Sequence, residues 1–95
     1  MTNEEFLHLL NAVAKLVKPF HDELKPIESM ELELKESGLD SLDVLMTGIY
    51  LCEIFDVEDE ISKTFPYSTP LEMFEFLKAH GRREATLEEA LKDLK

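Results

Sequence analysis

Apolar residues along this chain recur with a helical period, and nowhere do they alternate as in a strand. After the capping box Thr2-Asn3-Glu4-Glu5, Phe6, Leu9, Leu10, Val13, Leu16, Val17 and Phe20 fall at i, i+3, i+4, i+7 spacing, one face of an amphipathic helix. Pro19 marks where that helix should kink or stop. A long connection with Pro26 runs from His21 to Gly38. Its Leu24, Ile27, Met30, Leu32 and Leu34 carry enough apolar surface to lie against a helical bundle.

The next segment predicts a helix from Asp40 or Ser41 to about Phe55. Between Leu42 and Phe55 the only charged side chains are Asp43 and Glu53, so apolar surface wraps most of this helix. Such a helix is either fully buried or uses a second face for something else. Thr47, Gly48, Leu51 and Phe55 make one stripe, and Leu42, Leu45, Met46 and Ile49 make another about 100° or more away. A small domain cannot easily bury both. The second stripe is therefore expected to face a partner or a cargo.

Glu58–Thr64 reads as one or two acidic helical turns built on Ile61 and Phe65 and ended by Pro66. Thr69-Pro70-Leu71-Glu72 combines an N-cap, proline at N1 and glutamate at N3. The helix that follows should bury Leu71, Phe74 and Leu77, with Phe76 beside them, and stop at Gly81. Arg82–Lys95 opens another capping box, Thr86 to Glu89, and sets Leu87, Ala90, Leu91 and Leu94 on one side. A helix this short is marginal alone in water, so it is either docked on the bundle or a partner, or frayed. The pattern predicts an all-α fold, with a helical bundle over 1–81 and a helical extension over 82–95.

Composition narrows the possible functions. At 95 residues there is room for one domain, and six Phe and two Tyr against three Gly favour an ordered core. The longest uncharged stretch, Val44–Cys52, falls far short of the roughly 20 residues a membrane span needs. An acidic N-terminus without an apolar h-region gives no targeting signal, and a lone cysteine, Cys52, suits a reducing cytoplasm. The formal charge is −11, and the segment from Asp22 to Ser62 holds all of it, with thirteen acids against Lys25 and Lys35. So negative a segment repels nucleic acid and anionic lipid, and steers the chain toward basic patches on other proteins. A monomer is expected.

Signatures of catalysis are missing: no G-x-S-x-G, G-x-x-x-x-G-K-[ST], G-x-G-x-x-G or H-E-x-x-H. His8, His21 and His80 have no partners at ligand spacing, so no metal site is expected. Cys52 sits in an apolar helix beside Glu53; burial and a nearby carboxylate both raise a thiol pKa, which suits a small buried hydrophobe. Ser41 remains, and it carries two readings. Asp and Ser are favoured N-caps, and Asp43 complements the helix dipole. The same helix N-terminus also suits a covalently attached phosphodiester.

The run Gly38-Leu39-Asp40-Ser41-Leu42-Asp43 resembles the attachment motif of acyl carrier proteins. The likeness extends over roughly residues 2–80, through the helix ending Glu53-Ile54-Phe55-Asp56, the short acidic third element and the final helix. It implies a four-helix acyl-carrier-like bundle with a long loop between helices 1 and 2 and a short third helix. The C-terminal amphipathic helix is an addition to that pattern. It implies a carrier rather than an enzyme: a phosphopantetheinyl transferase moves 4′-phosphopantetheine from coenzyme A to Ser41, and the arm's thiol holds acyl groups as thioesters. Asp40 and Leu42 match the flanks that present the serine to the transferase. Asp43, Glu53 and Asp56 would meet basic docking patches on acyl-AMP ligases, synthases or acyltransferases of a lipid, polyketide or related pathway, and Leu42, Leu45, Met46 and Ile49 would supply the apolar part of that interface. Leu51, Phe55, Ile61, Met73 and Phe74 would line a cargo pocket.

The chain also departs from that pattern. Met46 and Cys52 stand where general fatty-acid carriers commonly have glutamates, Ser37 replaces a leucine, and Thr47 and Gly48 replace larger apolar residues. Gly48 inside a helix costs about 1 kcal/mol relative to alanine. A looser, less acidic second helix suggests a dedicated set of partners. Two alternatives stand beside this reading: a peptidyl or aminoacyl carrier, and a helical adaptor in which Ser41 only caps its helix.

Overall fold

The Thr2–Glu5 box forms as its spacing predicts. The Thr2 amide donates to Glu5 Oε1 at 2.9 Å and the Glu5 amide donates to Thr2 Oγ1 at 3.2 Å. The bond from the Thr2 amide favours the ionised Glu5 carboxylate and holds it below the usual carboxylate range. The box starts α1 (Asn3–Val17), which buries Phe6, Leu9, Leu10, Val13 and Ala14. Leu16, on the azimuth of Leu9, is exposed nonetheless: periodicity specifies which way a side chain points, not how far along the helix its neighbours reach.

This computed structural model describes residues 1–17 and 26–93. The expected end of the first helix at Pro19 and Phe20, the start of the connection at His21 and Leu24, and Leu94 lie outside the described residues. After α1 come a single 3-10 turn (Leu34–Ser37), α2 (Ser41–Ile54), α3 (Asp59–Ser62), α4 (Pro70–His80) and α5 (Leu87–Asp93). The described residues contain no strand, and the fold is all-α. No helix among them is long and apolar enough to cross a membrane.

The connection is held down by backbone hydrogen bonds as well as by its apolar residues. Asn11, on α1, pairs with Ile27 as a neighbouring strand would. Its Nδ2 donates to the Ile27 carbonyl at 2.9 Å, and its Oδ1 accepts from the Ile27 amide at 2.6 Å. Further on, the Leu71 amide donates to the Met30 carbonyl and the Leu34 amide to the Ser68 carbonyl. Ile27 and Leu34 thereby enter the core, while Leu32 stays exposed.

α1 is the hub, packing against α2, α4 and α5. Its Phe6 stacks on Phe74 of α4 with centroids 4.5 Å apart. The Thr69 hydroxyl caps α4 by accepting from the Glu72 amide, and Pro70, Met73, Phe74 and Leu77 form its buried face, with Leu71 only half-buried. Gly81 follows α4 as expected, though with φ −68° and ψ 133° rather than left-handed.

α5 is docked. Ala85 and Ala90 belong to the core, Leu87 and Leu91 pack against it, and Thr86 Oγ1 accepts from the Glu89 amide. Ala90 is fully buried, so Ala90→Leu overpacks that contact and should cost about 1–3 kcal/mol in urea unfolding. A frayed α5 would leave the midpoint unchanged.

Candidate functional site

The chain reaches the candidate serine through a left-handed turn. Gly38 has φ 100°, which is strained for a residue with a side chain, and Leu39 beyond it is anchored in the core. Asp40 is the N-cap of α2. Its Oδ1 accepts from the Asp43 amide at 2.9 Å, and the Asp43 carboxylate accepts from the Asp40 amide at 3.2 Å. This reciprocal box leaves Ser41 at the first helical position, exposed, its hydroxyl making no hydrogen bond among the described residues. The cap is Asp40.

The two stripes of α2 separate as the sequence predicts. Val44, Thr47, Gly48, Leu51, Cys52 and Ile54 face inward. Leu42, Leu45, Met46 and Ile49 face outward and are 38–64% exposed. Among the acids expected beside that outer stripe, Glu53 is exposed, whereas Asp43 is only 8% exposed and engaged in the capping box. Asp56, with φ 55°, turns the chain out of α2 and pairs with Arg82 at 3.1 Å.

Arg82 and Arg83, which the sequence reading left without a role, close the far end of α2. The Arg82 amide donates to the Asp56 carbonyl and the Arg83 amide to the Phe55 carbonyl. The Arg83 guanidinium donates to the Ile54 carbonyl at 3.2 Å and pairs with Asp93 at 2.6 Å and Glu89 at 3.5 Å. Basic residues suit a helix C-terminus, but these two lie 26–29 positions from the carbonyls they satisfy, and no local spacing marks that contact.

Two clefts flank α2, and Tyr67 stands in the wall of both. One, of about 420 Å³, has Ser41 on its rim and Leu34, Val44 and Leu45 in its walls. The other, of about 660 Å³, lies over Gly48, Ile49 and Cys52 and is edged by acids of the α3 region such as Glu58 and Asp59. Gly48 is small for a reason: a Cβ there would come within 2.7 Å of Tyr67 Cε1 and 3.1 Å of Phe65 Cδ2. Its effect is close packing, not looseness. The five residues expected to line a cargo pocket lie at different depths. Leu51 and Met73 are fully buried, Ile61 is half-buried on α3, and Phe55 and Phe74 line a third cleft of about 400 Å³ beneath the α4–α5 connection.

Cys52 is buried, and desolvation pushes its thiol up to about 11. The Tyr67 phenol is raised as well, first by desolvation and then by the neighbouring Cys52. No group of three His, Cys, Asp or Glu among the described residues could hold a metal ion. No protein-family model matches the chain, and searches of curated proteins and of solved structures give no match either.

Three outcomes follow from this geometry. Asp40→Ala removes the cap and should cost about 0.5–2 kcal/mol in urea unfolding, whereas Ser41→Ala should stay within about 0.5 kcal/mol of wild type. Folded Cys52, raised from 9.0 to about 11, should react with iodoacetamide near neutral pH about 100-fold more slowly than in urea, in proportion to its thiolate fraction. Between those two values the unfolded chain ionises while the folded thiol keeps its proton, so stability should fall as pH rises through that window. Equal alkylation rates with and without urea would contradict the burial.

Proposed function

We propose that this protein carries acyl groups as thioesters on a 4′-phosphopantetheine arm attached to Ser41. The observation that carries the reading is the freedom of the Ser41 hydroxyl: Asp40 and Asp43 cap α2 between them, so the serine is exposed with no structural duty. The residues present fit the arm. The hydroxyl stands at the head of a 14-residue helix, where partial positive charge favours a phosphodiester, and a cleft of suitable size opens beside it.

In the attachment step the Ser41 oxygen would form a bond to the phosphorus of the pantetheine phosphate as the P–O bond of the coenzyme A diphosphate breaks, adenosine 3′,5′-bisphosphate would leave, and the hydroxyl proton would pass to a base of the transferase. Asp40 and Leu42 flank the serine and present it. When bound, the arm supplies a terminal thiol for the thioester. The protein itself is a carrier that presents cargo to enzymes. The helix order supports an acyl-carrier-like bundle: a long helix, a connection, the serine-bearing helix, one acidic turn of helix and a further helix. The outward stripe Leu42, Leu45, Met46 and Ile49, with Glu53 nearby, offers partner enzymes an apolar surface edged by negative charge. That same stripe favours a second reading, an unmodified adaptor that binds a protein partner through α2.

Intact mass separates the two. With coenzyme A, Mg²⁺ and a promiscuous phosphopantetheinyl transferase, the wild type should gain one phosphopantetheine, and Ser41→Ala should gain none. A wild type that stays unmodified with several transferases supports the adaptor instead.

A further inference from the structure

The carbonyls at the tail of α2 are closed from two sources. Those of Leu51, Cys52 and Glu53 accept from the amides of Phe55, Val57 and Asp56, just beyond the helix. Those of Ile54, Phe55 and Asp56 accept instead from Arg82 and Arg83. A helix leaves its last carbonyls without partners of its own, so this end of α2 depends on a distant segment. Gly81 lets that segment come close: a Cβ there would stand 3.1 Å from the Phe55 carbonyl oxygen and 3.2 Å from Phe55 Cβ.

One side chain in the closure has a second attachment. The Arg83 guanidinium donates to the Ile54 carbonyl and also meets Asp93 at 2.6 Å and Glu89 at 3.5 Å. Those two acids stand one turn apart on the same face of α5. α5 has seven residues, with Ala90 buried, and a helix of that length does not persist undocked.

We infer that α5 is a releasable strap on the tail of α2: Asp93 and Glu89 hold Arg83 against the Ile54 carbonyl, so undocking of α5 and loosening of residues 54–57 are one event. The strap opens short of global unfolding, because α5 can leave while α1, α2 and α4 keep their shared core. Its release loosens the turn directly after Glu53, the exposed acid at this end of the outward face. The strap acts whether or not Ser41 bears an arm.

Native-state hydrogen exchange compares the wild type with Glu89→Gln/Asp93→Ala. This variant removes both charges facing Arg83 and leaves an oxygen at position 89 for the Thr86 hydroxyl. The amides of Asp56 and Val57 report the tail of α2, that of Ala90 reports α5, and those of Leu9 and Leu10 report α1. The tail and α5 amides should exchange about tenfold faster, by one common factor, as charge-assisted hydrogen bonds are lost. The α1 amides should stay unchanged. Arg83→Met should do the same, and the triple variant should add nothing further, since all three changes cut one connection. Faster exchange of one set alone, of neither, or of α1 equally overturns the strap, as does a triple variant whose effects sum.

Discussion

A helix that is apolar around most of its circumference, in a chain of 95 residues, cannot have all of its sides covered. A domain of this size buries only about 60–65% of the surface its unfolded chain exposes. Here α1 covers one side of α2, and Phe65 and Tyr67 press against it at Gly48. That leaves Leu42, Leu45, Met46 and Ile49 outside. The exposed stripe is the remainder after the core has been built, and the clefts open where the cover stops. A concentration of negative charge in the surrounding segment keeps such a surface soluble.

What makes α2 a dependable platform is the fixing of both ends by polar groups. At its head Asp40 and Asp43 satisfy each other's amides. At its tail Arg82 and Arg83 satisfy the carbonyls of Ile54, Phe55 and Asp56. The segment beyond α4 is therefore part of how α2 is held, since Arg83 is in turn tied to Asp93 and Glu89 of α5. Ser41 lies one residue inside the first of these closures and takes no part in it. With the cap on Asp40, the helix start does not depend on the Ser41 hydroxyl.

Local signals were the legible ones. Helix starts at Thr2, Thr69 and Thr86 and the two stripes of α2 depend on residues within a few positions of each other, and periodicity and cap chemistry report such spacings directly. For the head of α2 the sequence narrowed the cap to Asp40 or Ser41, and only the hydrogen-bond geometry chose between them. Contacts across the chain left no periodic trace. Asn11 is one polar residue within an amphipathic pattern, yet it carries the pairing with Ile27, sixteen positions away. Gly48 looked like a weakness in a helix because the ring that fills its space arrives from Tyr67, on another segment. Helical spacing identifies Leu51 and Phe74 as inward-facing, and both are buried, but it cannot distinguish the packed centre of a core from the wall of a cavity.

The acids of α2 and the stripe beside them would contribute unequally to any docking on this face. Asp43 is held in the cap, and Asp56 already has Arg82, so among the acids at its two ends Glu53 remains exposed and without an ion pair among the described residues. An exposed ion pair contributes about 0–1 kcal/mol and weakens with salt. Full burial of one Leu, Ile or Met contributes about 1.5–3 kcal/mol. Four such side chains, each 38–64% exposed, therefore outweigh the charges even if a partner covers only part of them. Negative charge would speed and orient the encounter, while contact with the stripe would decide how long it lasts. Met46, an uncharged side chain within that stripe, moves the balance in that direction, whereas Cys52 is buried and takes no part. A partner suited to this face needs an apolar groove first and a basic rim second.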